Sequence, residues 1–319
     1  MSRPSCGRRE FLLTCAGLAV AAGLGRRVLA ADGSPVAPTA SGMKKAICHY
    51  SFHRRYAAEK WTPDRMAQEV KALGIEGIDY HSRYLGSTDD AVAAAVTAAV
   101  TKHGLILSSL SLSTNFNKPK AEEMKKEIEA TTQWIRFAAK VKAPVSRIFG
   151  GSLSAADRKS EDGAKAATQR MIDGVAAVTK EAEKVGLILA IENHGGLPCK
   201  AEEQVAVIKT VNSPSLRATV DVGNYLQGGQ EGHIGTAIAA PYAAYVHMKD
   251  SKKVPDASSP WGYKVQSCVV GEGDVNLAAC IEALAKAGYK GFVGLEYEGS
   301  EDEATGVPKS VEALKRLVK

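Results

Sequence analysis

Eight short apolar runs, each followed by chain with helical periodicity, set the main constraint on how this chain can fold. They begin at Lys45, Gly77, Leu105, Val145, Leu187, Leu216, Tyr242 and Phe292. The runs are nearly continuous in Val, Ile, Leu and Ala, as expected of parallel strands covered on both faces. The spacing predicts helices in the gaps. Thr62-Pro63-Asp64 supplies an N-cap with Pro at the first helical position, Met66, Val70 and Leu73 form one face, and Gly74 ends it. Met171, Val175, Val178, Ala182 and Val185 make a second stripe closed by Gly186, and Leu277, Ile281 and Leu284 a third closed by Gly288. Pro308, Val311, Leu314 and Val318 mark a last helix. Eight such units predict an α/β fold, a single (β/α)8 TIM barrel over residues 44–319. An open doubly wound sheet is the alternative, weakened because no G-x-G-x-x-G follows the first run.

The first residues read as an address. Arg8-Arg9 precedes Phe11-Leu12-Leu13, close to a twin-arginine export pattern. The apolar stretch from Phe11 to Leu24 is shorter than the ~20 residues that cross a bilayer, and Ala30-Ala31 offers a cleavage site. Residues 1–31 are therefore expected to be a twin-arginine signal peptide and 32–43 a linker, with the mature chain periplasmic or secreted and without a stable membrane anchor. The export machinery is then a partner, and a homo-oligomer is left open. That segment holds five Arg and one Glu, +4 of the formal +6, so the remainder carries +2. A weakly charged chain with 6% aromatic residues argues against a nucleic-acid partner. Cys48, Cys199, Cys268 and Cys280 form no CxxC pair and are read as mostly free thiols.

In this fold, chemistry collects at the C-terminal ends of the strands. The last four runs end in Glu192, Asp221, His247 and Glu296. Neighbouring strands lie about 4.8 Å apart, so four consecutive tips can converge. Three carboxylates aimed into one mouth would repel unless a cation held them. Three oxygens and one imidazole nitrogen suit one divalent metal ion, Mn²⁺ first, with Mg²⁺, Co²⁺ or Zn²⁺ as alternatives. Around this set, His194, Asn224, Lys249, His81 and Trp261 are the candidate substrate-binding residues, with Tyr80 a weaker one. Lys252-Lys253 open a long loop that carries Trp261, and Glu298 is expected to be solvated.

The segments Ile191-Glu192-Asn193-His194-Gly195-Gly196, Val220-Asp221-Val222-Gly223-Asn224 and Val246-His247-Met248-Lys249-Asp250 carry a family resemblance, together with Val269–Asn276 and Gly288–Tyr297. The set resembles the xylose-isomerase-like sugar isomerase/epimerase superfamily, whose members include D-tagatose 3-epimerase, hydroxypyruvate isomerase and inosose dehydratase. The resemblance implies a single divalent ion on Glu192, Asp221, His247 and Glu296, with Glu192 and Glu296 facing each other across a sugar as the catalytic pair. It departs at Asn224, where epimerases commonly carry a substrate-contacting His. The expected activity is proton transfer through a metal-stabilised enediolate on a non-phosphorylated keto-sugar, because sugar phosphates are mainly cytoplasmic. A metal-dependent β-elimination on a 3-keto-glycoside or keto-polyol is the alternative, and a non-catalytic sugar-binding barrel the second alternative.

Overall fold

A computed structural model describes residues 42–319. The expected signal peptide and most of the expected linker lie outside the described residues. Eight parallel strands form the central sheet: β1 Lys44–Cys48, β2 Gly77–His81, β3 Ile106–Ser111, β4 Val145–Phe149, β5 Ile188–Glu192, β6 Leu216–Asp221, β7 Ala243–Met248 and β8 Phe292–Leu295. Their order is β3-β2-β1-β8-β7-β6-β5-β4. This is the sequential order of a TIM barrel, cut only between β3 and β4. That seam is closed by a backbone bond from Leu112 N to Arg147 O at 2.8 Å. The Thr114 hydroxyl adds to it, donating to Phe149 O and accepting from Phe149 N.

Helices α1 Pro63–Ala72, α2 Asp90–His103, α3 Ala121–Lys140, α4 Glu161–Val185, α5 Ala201–Val211, α6 Gly232–Ala239, α7 Leu277–Lys286 and α8 Glu303–Leu317 run between and after the strands. Local chemistry explains their ends. The Thr62 side chain accepts from Arg65 N at α1, and Ser160 accepts from Gly163 N at α4. Gly186 stops α4 at φ +68, a left-handed conformation that glycine adopts without strain. Met66 and Val70 of α1, Met171, Val175, Val178 and Ala182 of α4, and Leu277, Ile281 and Leu284 of α7 all lie in the apolar core. Val185, expected on the same stripe, is instead exposed. It is the last helical residue, and Leu187 beyond the glycine turn takes the buried place. The final helix begins at Glu303 behind an Asp302 cap, so Pro308 lies inside it rather than near its start.

Side chains alternate along each strand, so residues two apart share the barrel interior. Near the N-terminal ends that interior is an apolar plug in which Val145, Ala190 and Tyr245 pack together. One layer up, the same alternation reaches Asp79, Arg147, Glu192, Asp221, His247 and Glu296, all buried. Thus β5, β7 and β4 change from apolar to charged within two residues. The segment beyond β7, expected as a long loop, folds back as an antiparallel hairpin, Ser251–Pro255 against Tyr263–Ser267, with Trp261 in its connection. Among the described residues, no helix is long and apolar enough to cross a membrane.

Candidate metal centre

Glu192 and Asp221 are the last residues of β5 and β6, His247 is the penultimate residue of β7, and Glu296 follows β8 directly. The strand register brings them together: Asp221 stands opposite His247, and Gly294 opposite His247 on the other side. Each of the four residues offers one ligand atom, and these atoms all lie within 4.8 Å of one another. His247 Nδ1 lies 3.5 Å from Glu192 Oε1 and 3.8 Å from Glu296 Oε1.

The surroundings carry more charge than the sequence reading supplied. Arg147 of β4 lies fully inside the barrel, with Nε 3.1 Å from Glu192 Oε2 and its guanidinium over the Phe149 ring. The two atoms are close without hydrogen-bond alignment, and both lack a hydrogen-bond partner. Lys249, two residues past His247 on the same face, places Nζ 2.7 Å from Glu296 Oε2 and 3.4 Å from Asp221 Oδ2. The same ammonium reaches Glu298 Oε1 at 3.3 Å, so Glu298 joins the rim of the cluster and is not simply solvated. Asp79 of β2 lies 3.3 Å from the far nitrogen of His247, Nε2. The Cys48 thiol donates to Glu296 Oε1 at 3.7 Å. Asp79 and Arg147, absent from the sequence-based candidates, lie inside their strands and not at the ends. The usable signal was a charged residue inside an otherwise apolar strand, which is rare unless paired.

These neighbours set the charge states. Burial alone would raise the Glu192 carboxyl, but Arg147 and His247 outweigh it and hold it at about 2. Burial is likewise overcome at Glu296, where Lys249, His247 and Arg147 keep the carboxyl well below the ordinary range. Asp221 goes the other way: burial, reinforced by Glu192 and Glu296 against the pull of Lys249, pushes it up to about 7. His247 is driven well above the ordinary imidazole range, because Glu296, Glu192 and Asp79 outweigh its burial.

Glu192 Oε2 and Asp221 Oδ2 are buried acceptors with no hydrogen-bond partner. Each instead faces a cation, Arg147 Nε at 3.1 Å and Lys249 Nζ at 3.4 Å, without hydrogen-bond alignment. Four buried carboxylates, Asp79, Glu192, Asp221 and Glu296, face two permanent cations, Arg147 and Lys249. The donor set and the convergence of its ligand atoms within 4.8 Å of one another fit one divalent ion on Glu192, Asp221, His247 and Glu296.

The remaining candidates separate into near and far. Asn224 Nδ2 donates to Glu192 Oε1, and its Oδ1 accepts from Lys249 Nζ, both at 3.3 Å. His194 stacks on Phe149 with ring centroids 4.1 Å apart, and burial lowers its pKa, favouring a neutral ring. The His81 ring caps the short turn Ser82–Leu85 by accepting from Arg83 N. Tyr80 points out of the barrel and donates to Pro63 O, as its odd place in the β2 pleat requires. Trp261 donates to Gln227 O and lies beside Lys200, away from the four-residue cluster. Cys48, Cys199, Cys268 and Cys280 are all free thiols.

Barrel order and site together define an α/β barrel whose mouth gathers buried acidic and histidine groups able to hold a metal ion. The chain belongs to the xylose isomerase-like TIM barrel family, whose model matches residues 67–317. Among solved structures, a D-psicose 3-epimerase with D-tagatose from Clostridium cellulolyticum H10 is 17% identical, with 86% of this chain and 98% of that one covered at TM-score 0.68. A xylose isomerase-like TIM barrel protein from Mycobacterium smegmatis in complex with magnesium is 18% identical, covering 88% of this chain and all of that one, at TM-score 0.66. The probable 3-DHS dehydratase AsbF from Bacillus anthracis is 17% identical, covering 86% and 99%, also at TM-score 0.66. At these identities the likeness is one of fold. An uncharacterized protein of Methanocaldococcus jannaschii, MJ1311, is 26% identical over 152 residues, 44% of this chain and 46% of its own, so the match spans under half of that curated relative.

Proposed function

We propose that the protein is a metal-dependent isomerase or epimerase acting on a non-phosphorylated keto-sugar, with Glu192 and Glu296 as the proton-transferring pair. The observation that carries this reading is the buried cluster of Glu192, Asp221, His247 and Glu296, whose ligand atoms converge within 4.8 Å of one another. When bound there, a divalent cation would polarise a substrate carbonyl and its neighbouring hydroxyl, making the α C–H acidic. Glu192 and Glu296 are both held ionised by their cationic neighbours, so either can accept that proton. Inversion of the carbon needs a second proton, taken up from solvent by the opposite carboxyl and delivered to the other face, whereas return of the abstracted proton to the adjacent carbon exchanges aldose and ketose. Lys249 and Asn224 hold the two carboxylates in place, and His194 on its Phe149 support is placed to meet a sugar hydroxyl.

Elimination from a 3-keto-glycoside or keto-polyol is the second reading, and Asn224 favours it. Its amide is engaged by Glu192 and Lys249, which leaves it poorly placed for a substrate hydroxyl, while the Lys249 ammonium supplies a proton for a departing group. The reading includes residues 1–31 as a twin-arginine leader and hence a periplasmic or secreted site of action. Exchange of Arg8 and Arg9 for Lys should remove the protein from the periplasmic fraction, and unchanged export would refute that address. The activity is tested by screening free keto-sugars and keto-glycosides with Mn²⁺-loaded protein in D₂O by NMR. Isomerisation conserves mass with deuterium at the α-carbon, and elimination gives two fragments or loses water. Absence of exchange on every keto-sugar and keto-glycoside would leave only a binding barrel.

A further inference from the structure

The His247 ring is gripped from both sides. Nδ1 faces Glu192 and Glu296, while Nε2 meets Asp79 Oδ2 at 3.3 Å. Asp79 is itself immobilised: its Oδ1 accepts from Ser111 N at 3.0 Å and its Oδ2 from the Ser111 hydroxyl at 2.7 Å. Ser111 lies on β3 two residues beyond Ser109, the register partner of Asp79, and Asp79 and Ser111 are both completely buried. The acceptor for Nε2 is therefore built into the sheet and not carried on a loop.

We propose that Asp79 is the positioning residue of the metal centre, fixing the His247 imidazole with its proton on Nε2 and its Nδ1 lone pair turned toward Glu192, Asp221 and Glu296. The inference rests on the reading of the cluster as a metal centre. A neutral imidazole carries one N–H and one lone pair, and which nitrogen has the proton follows from the partner of the other. A carboxylate can only accept, so a fixed Asp79 selects Nε2–H and leaves Nδ1 to coordinate. Such outer partners orient the ring and raise its basicity as a ligand. A second geometry exists, because Cys48, Asp79 and His247 also offer atoms within 4.8 Å of one another. The Ser111 bonds already occupy both oxygens of Asp79, and the Cys48 thiol is turned to Glu296 as a donor. That side of the ring is hydrogen-bonded, whereas the carboxylates of Glu192, Asp221 and Glu296 converge on the Nδ1 side.

The test uses the full-length protein freed of export by Arg8→Lys and Arg9→Lys. Mn²⁺ affinity is measured by titration, and the His247 tautomer by ¹⁵N NMR in the Mg²⁺-loaded protein. Asp79→Asn should weaken Mn²⁺ binding about 10- to 100-fold with an unchanged circular dichroism spectrum. Its side-chain amide can donate to Nε2, so the ring proton should move to Nδ1. Ser111→Ala should weaken binding about threefold, because one of the two anchors of Asp79 is kept. Weaker binding with an unchanged tautomer would make Asp79 a source of charge only and overturn the positioning role, as would unchanged affinity in Asp79→Asn. If Asp79→Asn does not fold, Ser111→Ala decides alone, and wild-type affinity there overturns the proposal. Loss in Cys48→Ala equal to that in Asp79→Asn, with Glu192→Gln unaffected, would place the ion on the other side of the ring and also overturn it. A wild-type protein that binds neither ion fails the centre itself, an outcome distinct from a centre that binds without need of Asp79.

Discussion

The two halves of the barrel mouth carry unequal charge and divide the work. Strands β5 to β8 present Glu192, Asp221, His247 and Glu296, whose ligand atoms converge. Strands β1 to β4 present Cys48, Asp79, Ser111 and Arg147, each of which touches a member of the first set or its support. One half offers groups to an ion and a substrate, and the other fixes where those groups point and how they are charged. A converging set of acids is therefore only as good as the opposite wall that keeps it ionised and aimed.

The largest effect expected from this division is in the first half. Glu192→Gln or Glu296→Gln removes one member of the proposed acid/base pair, and turnover on the substrate found in the D₂O screen should fall at least about 10³-fold with the fold intact. Retained activity in either variant would break the division outright. The second half is expected to show its loss in stability. Arg147→Met leaves Glu192 buried without its guanidinium, a class of change that costs about 3–5 kcal/mol. Thermal unfolding checks this, and a melting temperature equal to wild type would mean that the wall does not support the site.

The smallest effect is a pH dependence. Asp221, raised to about 7, and His247, raised well above the imidazole range, must both give up protons to serve as ligands. Metal affinity should therefore rise with pH, by at least about tenfold from pH 6 to pH 8, and binding should release protons. Titrations in buffers of different ionisation enthalpy measure that release. For the ion-free protein the sign at Asp221 is opposite to that of an ordinary paired carboxylate. Its folded pKa lies above the unfolded value, so its contribution to stability is present below about 4 and declines as pH rises toward 7.

How much of this was legible in the chain follows the same division. The strands announced themselves because parallel strands buried on both faces are apolar throughout, and the run at Gly77 coincides with β2 from first residue to last. Glu192, Asp221, His247 and Glu296 were legible as polar residues closing such runs, and strand order alone made them neighbours. Asp79 and Arg147 were not, because each sits inside its run, and only the pleat decides whether such a residue points to helices or to the mouth. Tyr80 and Asp79, adjacent in sequence, end on opposite sides of one strand for that reason. Glu298 was misread for a related cause: two residues beyond Glu296 keeps it on the same face, where Lys249 reaches it. Trp261 depended on a hairpin whose pairing no local pattern announced.

The seam between β3 and β4 gives Arg147 a second duty. Its carbonyl accepts from Leu112 N, and its Nη1 donates to Leu112 O at 3.2 Å, so the residue that faces Glu192 also buttons the cylinder shut. Any transient gaping of the staves at that line would draw the guanidinium off its carboxylate. Amide exchange at Leu112 would then report on the electrostatic readiness of an acid two strands around the ring.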